Sequence, residues 1–88
     1  MPDKPGRKVL REIVANTNFI RYQVAQRKPF TVVMVRARHG NSYFTGIGFS
    51  KVMWPDRWDA DNGKRVAKER ARLDVARQVF ALLMELKG

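Results

Sequence analysis

Three β-rich runs lie back to back in this chain, separated only by tight turns, and that spacing constrains the fold more than anything else in the sequence. The runs are "FIRYQVAQ" (19–26), "FTVVMVRAR" (30–38) and "SYFTGIGFS" (42–50). The joins are "RKP" and "HGN". Connections this short only permit antiparallel neighbours, because a parallel crossover needs a dozen or more residues. In the second join, Gly40 and Asn41 are residue types that tolerate the positive φ of a hairpin turn. Alternation in the first run puts Ile20, Tyr22 and Val24 on one face. In the second, Arg36 and Arg38 share a face with Phe30, Val32 and Met34, which assigns the core side to Val33, Val35 and Ala37.

A helix is expected on each side of this meander. Over 7–15, Val9, Leu10, Ile13 and Val14 recur at helical spacing, and "NTN" at 16–18 disfavours continuation. A longer helix is expected over about 62–86, with Asp61 or Asn62 as its N-cap. Its apolar stripe runs Ala67, Ala71, Val75, Val79, Leu82 and Leu86, small first and large later. That gradient predicts a helix start lying close against the sheet. Both helices must cover one face, since the connections are short. The expected fold is therefore α+β, an α-β-β-β-α two-layer sandwich. Residues 1–6 read as a flexible lead-in, 7–88 as a single domain, and 51–62 as an inserted loop broken by Pro55 and its Asp/Asn cluster.

Charge narrows the partner. The chain has 88 residues, a formal net charge of +10 and an isoelectric point near 11.0. Potentials of that sign favour polyanions, nucleic acid first and an acidic protein second. The excess is concentrated in residues 1–51, with ten basic and two acidic side chains, against eight and six in 52–88. With no cysteine, disulfides and thiolate metal sites are excluded, and a reducing compartment such as the cytoplasm is expected. Neither a membrane-length apolar run nor a signal-peptide core is present, so no membrane partner is expected.

No motif carries catalytic chemistry. His39, the only histidine, stands in a turn without a nucleophile placed to pair with it. "DADNG" at 59–63 fails as a calcium loop: its glycine comes early and no closing glutamate follows. The chain is read as a non-enzyme without metal or cofactor.

The residues that carry a family likeness are Leu10-Arg11-Glu12 in the first helix, Tyr22-Gln23-Val24 in the first strand, Gly46-Ile47-Gly48-Phe49-Ser50-Lys51 closing the third, and Lys64-Arg65-Val66-Ala67-Lys68-Glu69-Arg70-Ala71 opening the last helix. In this order they resemble the double-stranded RNA-binding domain family over about residues 8–84. The resemblance implies phosphate contacts from Lys64, Arg65 and Lys68, with Arg72 and Lys51 in support, and an RNA contact from Glu12. The family's Gly-Pro-x-His loop between the first two strands is missing. Arg27 and Lys28 are the candidates for contact there. The family also runs almost directly from Ser-Lys into the last helix, whereas "VMWPDRWDADN" intervenes here and brings three aspartates.

The helix chemistry stands without the resemblance. A helix start offers free N–H groups and partial positive charge, and added lysines and arginines there suit the phosphates of A-form RNA, which is read by shape. Duplex RNA bound without sequence selectivity is the first expectation. The second is a protein-interaction module of phage or mobile-element type. It would dock on an acidic protein or a ribonucleoprotein through Trp54, Trp58 and a basic sheet face of Arg21, Arg36 and Arg38, with Val32, Met34 or Phe44 between the charges. A homodimer through strand edges is a variant of it.

Overall fold

The computed structural model describes residues 6–52, 57 and 59–87. Its elements run α1 (Arg7–Ala15), β1 (Asn18–Arg27), β2 (Phe30–His39), β3 (Ser42–Lys51) and α2 (Ala60–Lys87). The strands form one antiparallel sheet in the order β1-β2-β3. Both helices lie on one face of it, giving the expected two-layer α+β sandwich. Gly40 turns the β2–β3 hairpin with φ 61°, the left-handed conformation that a side chain disfavours.

The core is the inner side of β2 against α2. Val33, Val35 and Ala37 are fully buried, as are Ala67, Ala71 and Val75 facing them. Arg36 and Arg38 point to the other side, so the charged residues set the register of faces as the sequence indicated. From α1, Leu10 and Ile13 enter the same core. The small-to-large gradient of α2 also has its expected cause. A Cβ on Gly48 would collide with the backbone of Ala67 and Ala71, and one on Gly46 with Ala71 and Val75. Two glycines in β3 thus let two alanines of α2 bring its backbone down onto the sheet.

Polar ties fix the start of α2. The Ser50 hydroxyl donates to the Gly63 carbonyl at 2.9 Å. Gln26 Nε2 donates to Thr31 Oγ1 at 3.0 Å and to the Ala60 carbonyl at 2.8 Å. Thr31 and Ser50 are both buried, and the Ser50–Gly63 bond is shielded from water.

Four details depart from the sequence reading. A register irregularity between Phe19 and Arg21 breaks the alternation of β1. Phe19 and Tyr22 both pack against the core, and Ile20 is left half exposed. The helix cap is neither Asp61 nor Asn62: Asp59 Oδ1 accepts from the Asn62 N–H at 3.0 Å, which places α2 earlier in the chain. Phe44 pairs with Ala37 and turns toward the core rather than lying between the outer arginines. Leu86 is 76 % exposed, because α2 (28 residues) outruns the strands (10 residues each) and its last turns have no sheet beneath them.

Candidate nucleic-acid interface

The sequence-predicted cations divide between two surfaces. Lys64, Arg65, Lys68 and Arg72 stand on α2. Lys51 and Arg27 do not join them. Both stand in register with Phe30 at one end of the outer sheet face, where Lys51 Nζ lies 5.5 Å from the Phe30 ring centre. Lys28 is exposed in the β1–β2 turn, and Glu12 is exposed on α1.

On the helix side the cations are held rather than loose. Arg72 donates from Nε to the Tyr22 hydroxyl at 2.8 Å, and its guanidinium lies over the rings of Tyr22 (5.5 Å) and Phe19 (5.9 Å). Lys68 Nζ sits 5.4 Å from the Tyr22 centroid. Cation–ring contacts of this kind contribute about 0.5–1 kcal/mol when exposed. Arg65 donates from Nη2 to Asn62 Oδ1 at 2.7 Å. One aromatic of β1 therefore orients two cations of α2, a link that helical spacing alone did not reveal.

A groove runs between the two helices. Arg11 and Val14 of α1 line one wall, and Arg65, Glu69, Arg72 and Leu73 of α2 line the other. Arg11 was missed in the sequence because it falls off the apolar stripe of α1. Only the packing of α1 against α2 brings it opposite Arg65 and Arg72. Val14 and Leu73 make the lining partly apolar, and Glu69 is the one acidic residue lining it among the described residues.

The aspartates before α2 are partly accounted for. Asp59 is spent on the cap, and Asp61 is exposed in the first turn. Both suit the positive end of the helix, and both lower the potential at its tip. Within the groove, the cations that can meet an anion lie beyond this tip, at Arg65 and Arg72 opposite Arg11. Asp56, Trp54 and Trp58 lie outside the described residues.

His39 has a structural contact: its Nδ1 is 3.1 Å from Thr17 Oγ1, joining the end of β2 to the α1–β1 connection. Among the described residues no group of histidine, aspartate or glutamate is arranged to hold a metal ion, and no helix is long and apolar enough to cross a membrane.

No protein-family model matches the chain, and no curated protein matches it significantly. Among solved structures, the crystal structure of Rv2632c is similar to it: TM-score 0.64, 25% sequence identity, covering 74% of this chain and 77% of that one. With the geometry above, this similarity supports an α-β-β-β-α two-layer fold that has the coarse topology of the double-stranded RNA-binding domain.

Proposed function

We propose that this chain is a binding module, not an enzyme, that takes duplex nucleic acid, RNA in preference to DNA, through backbone phosphates along the α1–α2 side. The observation that carries the reading is the groove itself: Arg11 from one helix faces Arg65 and Arg72 from the other, with Lys64 and Lys68 on the same stretch of α2. Cations fixed on two rigid elements match a shape, whereas cations scattered on loops only raise local charge. A-form RNA presents regularly spaced phosphate rows and no readable bases in its deep groove, so such a surface reads shape and not sequence. The missing Gly-Pro-x-His loop leaves minor-groove contact to α1, and the reading accordingly rests on phosphate.

Replacing Lys64 and Lys68 together with alanine tests it, with Arg11→Ala as a second variant. The double variant loses duplex affinity, and the slope of log affinity against log salt falls by about 2, one counterion per lysine. Arg11→Ala weakens binding as well, although it lies outside the last helix. Unchanged affinity in both variants refutes the site.

A further inference from the structure

Among the described residues, none covers the face of the sheet turned away from the helices, and its make-up is unusual. Between Asn18 and Lys51 the chain contains no aspartate or glutamate. Register aligns the outward side chains in cross-strand rows. Arg21, Arg36 and Thr45 form one row, Gln23, Met34 and Ile47 the next, Ala25, Val32 and Phe49 the third, and Arg27, Phe30 and Lys51 the last. Apart from Gln23 on β1, the middle rows are apolar and exposed: Met34 is 43 %, Phe49 46 % and Ile47 55 % accessible. Both ends are cationic.

Arg21 and Arg36 are direct register partners, and both line a single depression with Gln23, Met34 and Thr45. Like charges opposite one another across strands destabilise a sheet. No carboxylate of the strands offsets this pair. Among the described residues, the contact Arg36 makes is with the Tyr43 ring, 5.5 Å away. An anionic group placed in the depression removes the repulsion and gains charge-assisted hydrogen bonds.

We propose that this face docks an amphipathic segment of an acidic protein, apolar along its middle and carrying carboxylates at both ends. From Phe30 to Arg38 β2 spans about 27 Å at a strand rise of about 3.3 Å per residue, and a helix of about 18 residues has the same length. Laid along the strands, its apolar stripe covers Val32, Met34, Ile47 and Phe49. One acidic end meets Arg21, Arg36 and Arg38, and the other meets Arg27 and Lys51. A second copy of this chain is a poor occupant, because face-to-face packing sets cations on cations at both ends in either orientation. Single-stranded nucleic acid suits the face less well: Met34 and Ile47 at its centre are thioether and aliphatic surface, and the exposed rings of Phe30, Tyr43 and Phe49 are each already in contact with another side chain. Its two phenylalanines already pack on each other at 5.7 Å, with Lys51 over one of them.

The test is a titration of the isotope-labelled full chain, followed by amide chemical shifts. The probe is a synthetic 18-residue helical peptide with leucines at i, i+3, i+4 and i+7 in the middle and three glutamates at each end. A scrambled peptide of the same composition and a 20-nucleotide single-stranded oligouridylate are titrated beside it. The proposal expects saturable shifts at Met34, Arg36 and Ile47 with the ordered peptide. Binding falls at least tenfold with the scrambled one, and at least tenfold again in Arg21→Ala/Arg36→Ala. That variant removes a like-charge pair and keeps the fold, which its amide dispersion verifies, and Ile47→Ser supplies an independent loss of binding. Lys64→Ala/Lys68→Ala binds the peptide like the parent, which separates this face from the α1–α2 groove. Equal binding of the scrambled peptide, shifts confined to Arg11 and Arg65, or tighter binding of the oligouridylate on the sheet overturns the proposal. So does a homodimer in solution that Ile47→Glu disrupts.

Discussion

Arg72 of α2 donates from Nε to the Tyr22 hydroxyl of β1 at 2.8 Å while its guanidinium lies over the Tyr22 ring. A side chain expected from the sequence to support phosphate contact is thereby part of the packing between the long helix and the edge of the sheet. Tyr22→Phe keeps the ring and removes the hydroxyl. It is expected to cost about 1 kcal/mol of stability, the net worth of one hydrogen bond. Urea unfolding of Tyr22→Phe, Arg72→Ala and the double variant checks this: the two single costs exceed the double cost when the residues are coupled.

The closest approach of the two layers lies where Gly48 faces Ala67 and Ala71. Those atoms are helix backbone and cannot yield as a flexible side chain does. Gly48→Ala is expected to destabilise the fold by on the order of 3 kcal/mol, the upper range for overpacking. Gly63→Ala meets the Thr31 hydroxyl at 2.8 Å and costs less, because the overlap is smaller and involves one side-chain atom rather than helix backbone. Thermal unfolding of the two variants side by side gives the order.

One edge of the sheet is latched. Along α2, Arg70, Asp74 and Gln78 recur at i, i+4 and i+8 and reach the backbone of β3. Arg70 donates to the Phe49 carbonyl at 2.7 Å, the Ile47 N–H donates to Asp74 Oδ2 at 2.8 Å, and Gln78 donates to the Thr45 carbonyl at 2.8 Å. These bonds occupy groups that an edge strand otherwise offers to another chain. Asp74→Ala is expected to speed amide exchange at Ile47 and to raise self-association at high concentration, read by hydrogen exchange and sedimentation.

Asp59 caps α2 through the Asn62 N–H. Asp59→Ala is expected to cost about 1 kcal/mol, and Asp59→Asn very little, since asparagine caps equally well. Denaturant midpoints of the two variants distinguish a capping role from a charge role, because both remove the charge and only alanine removes the acceptor.

The layer arrangement was legible because it rests on periodicity and turn length. Arg36 and Arg38 marked the outer face of β2, and the Ala67 and Ala71 stripe marked a close helix. The errors fall where one residue changes phase or a distant contact decides. The irregularity at Ile20 sends Phe19 and Tyr22 the same way, which strict alternation cannot express. The cap moved to Asp59 because Gln26 and Ser50, far away in the chain, tie down the first turn of α2 at Ala60 and Gly63. The candidate site was half legible. Lys64, Arg65, Lys68 and Arg72 lie together, as helical spacing requires. Arg11 joins them only through helix–helix packing, and Lys51 leaves them because strand alternation carries it to the outer face.

The most direct test of the nucleic-acid reading is a fluorescence titration of a roughly 20-base-pair RNA duplex, long enough for a footprint of about 16 base pairs. It is run beside DNA duplex and single-stranded RNA at several salt concentrations. The reading predicts tightest binding to the RNA duplex, with affinity falling steeply as salt rises. Equal and weak binding of all three contradicts it, since a charge of +10 alone attracts any polyanion without a site.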